Sequence, residues 1–217
     1  MEKSEASETY VLRQTAPNTQ ELTSISNTTR TYDVVSRETG GFMNKKPHMV
    51  ITRQQNGMKY DCAEVRFDNY SSGTTIVYKG NGVSQSLALE SSLDQRYECR
   101  IQDALHWWQP TGPSRRELEL TNTAGESVAL FTYANEVALT TGARTGSKKQ
   151  VKSEDVGKLQ ILQRPEGGMS AAEQILCTAL AVIERGKRRA ANVGRQGSAY
   201  KQGACCGITN TAHGGGL

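Results

Sequence analysis

Histidine and cysteine are the side chains with which this chain of 217 residues could do nucleophilic, acid–base or metal chemistry. The three histidines, His48, His106 and His213, do not occur in a metal-binding spacing such as H-E-x-x-H. Cysteine catalysis needs a paired base, and the sequence places no histidine beside Cys62 or Cys99. We therefore predict a protein that is not an enzyme and that uses no metal or cofactor.

The segment from Gly142 to Lys148 superficially resembles a phosphate-binding loop. Its glycines enclose three residues instead of four, its lysine follows the serine, and no helical pattern begins there. We exclude a nucleotide-binding loop on these grounds.

Two adjacent tryptophans, Trp107 and Trp108, form a candidate aromatic contact for a ligand or a membrane interface. Neighbouring residues of a strand face opposite sides of the sheet, so we expect one indole in the core and the other exposed or at a loop edge. Ordinary packing is the favoured interpretation.

Charge is distributed unevenly along the chain. Residues 1–184 contain 20 cations and all 22 acidic residues, whereas residues 185–217 contain six cations and no acidic residue. The six are Arg185, Lys187, Arg188, Arg189, Arg195 and Lys201. The negative end of a helix dipole explains one or two of them, so we predict that this segment binds anionic phospholipid. The alternative is a solvated basic tail without a partner.

The cysteines indicate a reducing compartment. They are five in number and form no C-x-x-C pair, and the polar, acidic start of the chain is unlike a secretory signal. The longest apolar run, from Ile175 to Ile183, is shorter than a membrane span. We predict a cytoplasmic protein, peripherally membrane-associated if Cys205 and Cys206, which lie in a basic, glycine-rich tail, are palmitoylated. The alternative is that these two cysteines have no function.

Alternating polar and apolar residues predict antiparallel strands with one buried face. The pattern is clearest where Ala63, Val65 and Phe67 alternate with charged residues, and Asn56-Gly57 and Asn81-Gly82 have the composition of tight hairpin turns. We expect about twelve short strands in a sandwich or barrel. Residues 1–30 are predicted to be a polar, partly flexible segment, residues 31–190 the barrel domain, and 140–153 an exposed loop.

One helix follows the strands. Ser170 and Glu173 form a capping box, and the helix is predicted to run from about residue 170 to 189. Its middle is apolar or small in every direction around the axis, with Thr178 the polar exception, so it should be enclosed. The sequence therefore favours an antiparallel barrel whose lumen is filled by the helix. Residues 191–217 are predicted to be a disordered, glycine-rich basic tail.

The order of these elements resembles the tubby C-terminal-like superfamily, in which a twelve-stranded barrel wraps a central helix. The chain is most similar to an uncharacterised fungal family of basidiomycete type within it. The matching features are the strand Lys158–Ile161, the turn Pro165–Gly167, the apolar helix, and the Glu184-Arg185 and Lys187–Arg189 cluster. Ala179 and Ala181 depart from the family pattern, which usually has bulky residues there.

The resemblance implies a non-enzymatic protein, because tubby-like proteins bind phosphoinositides and related groups act at or near membranes. We expect peripheral binding to anionic membrane lipid through the basic C-terminal segment. A protein-interaction or scaffold module without lipid binding is the alternative. Nucleic acid is an improbable partner, since no recognised nucleic-acid-binding module is present.

Overall fold

The computed structural model describes residues 7–26, 30–37, 47–68, 73–79, 84–89, 96–112, 116–134, 154–163 and 169–203, with the side chains of the last range described for residues 171–189. The predicted loop at 140–153 and the turn Asn81-Gly82 lie outside these residues.

Twelve antiparallel strands form a closed barrel, as predicted. Each strand pairs with its sequence neighbours, and β1 pairs with β12 to close the sheet, so no edge is left exposed. The strands are β1 (Glu8–Ala16), β2 (Thr19–Ser24), β3 (Arg30–Ser36), β4 (Met49–Gln55), β5 (Met58–Phe67), β6 (Thr74–Tyr78), β7 (Ser84–Leu89), β8 (Tyr97–Ile101), β9 (Ala104–Thr111), β10 (Glu117–Asn122), β11 (Ser127–Tyr133) and β12 (Glu154–Ile161).

The barrel begins at Glu8, not near residue 31 as predicted. Strands β1 and β2 bury only Tyr10, Leu12 and Leu22 as apolar residues on the lumen side, and their outward residues are mostly Thr, Glu and Arg. With only three buried apolar residues, the sequence of these two strands resembles that of a polar, flexible segment. They belong to the barrel because β1 also pairs with the distant strand β12.

Among the described residues there is one helix, α1 (Met169–Gly203), and its first half lies inside the barrel. Every side of its first half is covered, since Ala171, Leu176 and Ala181 are each 0 % exposed although they point in different directions. Ala179 is buried as well, so the two small residues that depart from the resembled family lie against the barrel wall. The competing arrangement, a helix on one side of a sandwich, is excluded because it would leave one face open to water.

The helix is longer than predicted, because its backbone continues past Arg189 to Gly203. Alanine, arginine and glutamine, which favour helices, outweigh the cost of about 1 kcal/mol for each of Gly194 and Gly197. The predicted disorder therefore stays a prediction only for residues 204–217, which the structure does not describe. In the described part of the chain, α1 included, no helix is apolar over enough length to traverse a bilayer.

The polar residue in the enclosed helix has a specific partner. Thr178 Oγ1 accepts a hydrogen bond of 3.0 Å from Trp108 Nε1 and donates one of 3.0 Å to the carbonyl of Ile175. Both Trp108 and Thr178 are 0 % exposed. The interaction joins β9 to the helix and satisfies an indole N–H that has no access to water.

Replacing Thr178 by valine is expected to lower the free energy of unfolding by about 1.5 kcal/mol, because the Trp108 N–H would be buried without an acceptor. Urea unfolding measures this loss. The same change at Thr75, which points outward from β6, should have an effect below about 0.5 kcal/mol. Equal effects at the two sites would contradict the importance of the Trp108–Thr178 bond.

Two tight hairpin turns have positive φ at both central residues. Asn56 and Gly57 (φ 52° and 76°) join β4 to β5 as their sequence predicts, whereas Gln102 and Asp103 (φ 47° and 66°) join β8 to β9 without the usual turn residues. The second turn is held from the helix, since the Gln102 N–H donates to Gln174 Oε1 at 2.7 Å.

Replacing Gln102 by asparagine together with Asp103 by glycine should raise the free energy of unfolding by about 1 kcal/mol, because both residues adopt positive φ at lower cost. The contact to Gln174 uses the backbone and is retained. The reciprocal change, Asn56→Gln with Gly57→Asp, should destabilise the protein by a similar amount. A loss of stability in the first variant would contradict this turn geometry. Thermal and urea unfolding provide the measurement.

Candidate anion-binding site at the exit mouth of the barrel

The helix enters the barrel at one end and leaves it at the other. We call the end where β3 and β5 finish and β4 and β6 begin the exit mouth, and the opposite end the entrance mouth. Near its start the helix contacts the Gln102 turn at the entrance mouth, and Arg185 contacts Gly73 and Thr74 at the exit mouth. The basic end of the helix is thereby placed at the exit mouth.

Arg185 is held by the barrel wall. Its Nη1 donates to the carbonyl of Gly73 at 2.8 Å and to Thr74 Oγ1 at 2.7 Å, and the residue is only 9 % exposed. Burial lowers the pKa of its guanidinium. This predicted anion-binding residue thus anchors the helix to β6, and its charge contributes to the field at the mouth.

Arg188 is also held in place. Its Nε forms a salt bridge of 3.0 Å with Glu184 Oε1, and its Nη2 donates to the carbonyl of Arg37 at 2.9 Å. The guanidinium lies 4.8 Å from the centre of the Phe67 ring. These contacts fix the helix against the ends of β3 and β5.

His48, one of the three histidines that the sequence does not place in a metal-binding spacing, has a structural partner at this mouth. Its Nδ1 accepts a hydrogen bond of 2.7 Å from the Phe67 N–H, and the two rings stack with centres 5.9 Å apart. Burial, followed by the nearby cations Arg188 and Arg66, lowers the pKa of the imidazole. His48 is therefore neutral at pH 7 and adds no charge to the site.

Lys187 and Arg189 differ from the two anchored arginines. Both are partly buried, and in the described part of the chain neither forms a hydrogen bond or a salt bridge. Arg189 Nη1 is buried without an acceptor, and burial lowers the pKa of Lys187. Two partly dehydrated cations without a hydrogen-bond acceptor are suited to bind an anion.

The part of the exit mouth next to the helix, at the ends of β3 and β5, is positively charged. Among the described residues there, six cations outnumber the three carboxylates of Glu64, Asp68 and Glu184. The cations are Arg37, Arg66, Arg185, Lys187, Arg188 and Arg189. The exposed Arg37 side chain lies directly after β3, and the exposed Arg66 side chain lies on β5. The sequence did not connect either residue with the basic segment. No local pattern reveals this convergence, because it depends on the pairing of strands around the barrel.

The two tryptophans have different environments, as expected. Trp108 lies in the core, whereas Trp107 faces outward and is partly exposed, with the Arg96 guanidinium 4.7 Å from its ring centre. Trp107 is consequently covered in part by an arginine, and its role in ligand contact stays a prediction.

The other candidate residues are dispersed. His106 is buried, and its Nδ1 lies 2.9 Å from the Ala104 carbonyl. Cys99 and Cys177 are buried thiols that pack as small apolar residues, and burial raises the pKa of Cys99 to about 12. In the residues described, no three His, Cys, Asp or Glu side chains are grouped as metal ligands would be.

Part of the predicted site lies outside the described residues. Arg195 and Lys201 are on the helical extension of α1, where only the backbone is described. His213, Cys205, Cys206 and the loop containing Gly142 are not described.

Comparison of the chain with protein-family models, with curated proteins and with solved structures yields no match.

Proposed function

We propose that this protein is a non-enzymatic domain that binds the anionic headgroups of a membrane surface at the exit mouth of its barrel. The observation that carries the proposal is the position of Lys187 and Arg189 beside the anchored arginines, with donors that no described group accepts. The neighbouring Arg37 and Arg66 side chains are exposed and extend the positive surface.

The expected affinity is moderate. A basic residue near an anionic leaflet contributes about 1 kcal/mol, so Arg37, Arg66, Lys187 and Arg189 together supply about 4 kcal/mol. The helix extends about 21 Å beyond Arg189 and carries Arg195 and Lys201, which add to the attraction. Such binding is reversible and screened by salt.

The remaining parts of the proposal concern location and ancestry. Palmitoylation of Cys205 and Cys206 would supply the second signal that stable anchoring needs, on the cytoplasmic leaflet of a membrane. The resemblance to the tubby-like superfamily, and to its fungal family, supports the same function, because a twelve-stranded barrel around a helix is the arrangement that this resemblance implies. Both assignments stay predictions.

The test is sedimentation of the full chain with vesicles of phosphatidylcholine, with and without phosphatidylserine. Wild-type protein should bind only the vesicles that contain phosphatidylserine, and raised salt should release it. The double variant Lys187→Gln, Arg189→Gln should bind about 30-fold more weakly, since it loses two cations that contribute about 1 kcal/mol each. Its melting temperature should not fall, because neither side chain has a hydrogen-bonded partner among the described residues to lose.

The matched control is Lys59→Gln, Arg100→Gln, which removes the same charge from exposed residues near the entrance mouth. It should bind like the wild type. Equal losses in both double variants would mean that only net charge matters. Absence of binding at low salt would refute the proposal and favour the protein-interaction module.

A further inference from the structure

The lumen face of the barrel is polar at the entrance mouth between β1 and β5. Strand pairing places Tyr32, Arg53 and Tyr60 in one row across β3, β4 and β5, and Arg30, Gln55 and Met58 in the next row. A bulge in β5 shifts the register next to Ile51 and turns Tyr60 and Met58 toward the lumen. These charged and aromatic side chains line the barrel end where the helix begins.

Two buried donors in this region have no partner. Tyr32 is 1 % exposed, and its hydroxyl forms no hydrogen bond within the described residues. The Nε of Arg30, two residues earlier on the same face of β3, is also buried without an acceptor in that part of the chain. Burying a donor without an acceptor is unfavourable, so a bound acceptor group would stabilise the site.

The neighbouring polar groups are already paired. The Tyr10 hydroxyl donates to Glu8, and the Tyr10 ring packs edge-on against Tyr32 with centres 6.3 Å apart. Arg53 forms a salt bridge with Glu173 of the helix, and its guanidinium lies 5.2 Å from the Tyr60 ring centre. Among the described residues of this mouth, the Tyr32 hydroxyl and Arg30 Nε are therefore available to a bound acceptor group.

The charges restrict the ligand to a monoanion. Arg30 forms no salt bridge with a described residue, and Glu8 acts on its charge only weakly, so one negative charge can be accommodated beside it. The carboxylates of Glu8 and Glu173 act on the same region and would repel a dianion such as phosphate.

The side of the mouth facing β5 is apolar and accessible. Tyr60 is 42 % and Met58 58 % exposed, although both lie on the lumen side of the strand. Tyr60 and Met58 on β5 lie two strand spacings, about 10 Å, from β3. That span fits the body of a small aromatic or aliphatic molecule.

We propose that the entrance mouth binds a small carboxylic acid with an apolar body. The carboxylate accepts hydrogen bonds from the Tyr32 hydroxyl and Arg30 Nε, and the apolar body packs on Tyr60 and Met58. The site is separate from the exit mouth and does not depend on lipid binding there.

The test is calorimetric titration of the full chain with 4-phenylbutyrate, using 4-phenylbutyramide and inorganic phosphate as comparison ligands. Saturable binding is expected for 4-phenylbutyrate alone. Tyr32→Phe should weaken binding at least tenfold without lowering the melting temperature, because its hydroxyl forms no bond to a described residue. Tyr133→Phe, the same change near the exit mouth, should leave binding unaltered.

Three results would overturn the assignment. They are absence of binding at millimolar 4-phenylbutyrate, equal binding of the amide, and binding that Tyr32→Phe does not change. The first would mean that the Tyr32 hydroxyl is satisfied by an ordered water alone.

Discussion

Replacing Leu180 by alanine is expected to lower the free energy of unfolding by about 3 kcal/mol. Leu180 is 3 % exposed and lies in the part of α1 that the barrel encloses. The wall around it is a closed sheet whose strands are all paired, so it cannot collapse inward to fill the space left by the missing methyl groups. Urea unfolding followed by circular dichroism gives the change directly.

The matched control for this substitution is Ile25→Ala, which removes a similar aliphatic side chain from a position that is 57 % exposed. Its effect should be below about 1 kcal/mol. If the two variants lost the same small amount of stability, the helix would not lie in the lumen, and the placement of its basic end at the exit mouth would be wrong.

Replacing Gly157 by alanine should cost about 3 kcal/mol, because β12 has no room for a side chain there. A methyl group at Gly157 would lie 2.5 Å from Cζ of Phe131 and 2.5 Å from the carbonyl oxygen of Thr132. Phe131 is 0 % exposed, and Thr132 lies in the ladder between β11 and β12. Neither atom can move without disturbing the core or the pairing of the strands.

Gly186→Ala provides the opposite control. This glycine lies in the helix with no atom within 4 Å of the added methyl group, so the substitution should stabilise the protein by about 0.5–1 kcal/mol. Chemical denaturation of both variants should give changes of opposite sign. A neutral or stabilising Gly157→Ala would contradict the register between β11 and β12.

The parts of the fold that sequence could predict are those encoded by neighbouring residues. Alternation at Ala63, Val65 and Phe67 indicated a strand because its period matches the pleat. Asn56-Gly57 indicated a hairpin because these residues tolerate positive φ. The apolar run around Leu180 indicated an enclosed helix, since no side of it could face water.

The parts that sequence missed depend on contacts between distant residues. The Gln102–Asp103 turn has no local signal, because its geometry is supported by Gln174 on the helix. Strand β1 belongs to the barrel through its pairing with β12, which is more than 130 residues away. The isolated polar Thr178 is explained only by Trp108 on β9.

The anion-binding site at the exit mouth likewise has features that sequence could predict and features that depend on distant contacts. Composition identified the cations after Glu184, but it could not distinguish those anchored by the barrel from those that keep unused donors. Arg185 and Arg188 are anchored by β6, by the end of β3 and by Glu184, whereas Arg189 is not. The site that we propose at the entrance mouth could not be predicted from sequence, because the bulge in β5 reverses the direction of Tyr60.

The most direct test of the functional account is paramagnetic broadening of backbone amide signals by vesicles that contain phosphatidylserine and a headgroup spin label. If the exit mouth faces the membrane, the amides of Arg37, Gly73 and Gly186 should broaden, and those of Gly57 and Gln102 at the entrance mouth should stay sharp. Broadening confined to the entrance mouth, or spread evenly over both ends of the barrel, would contradict it.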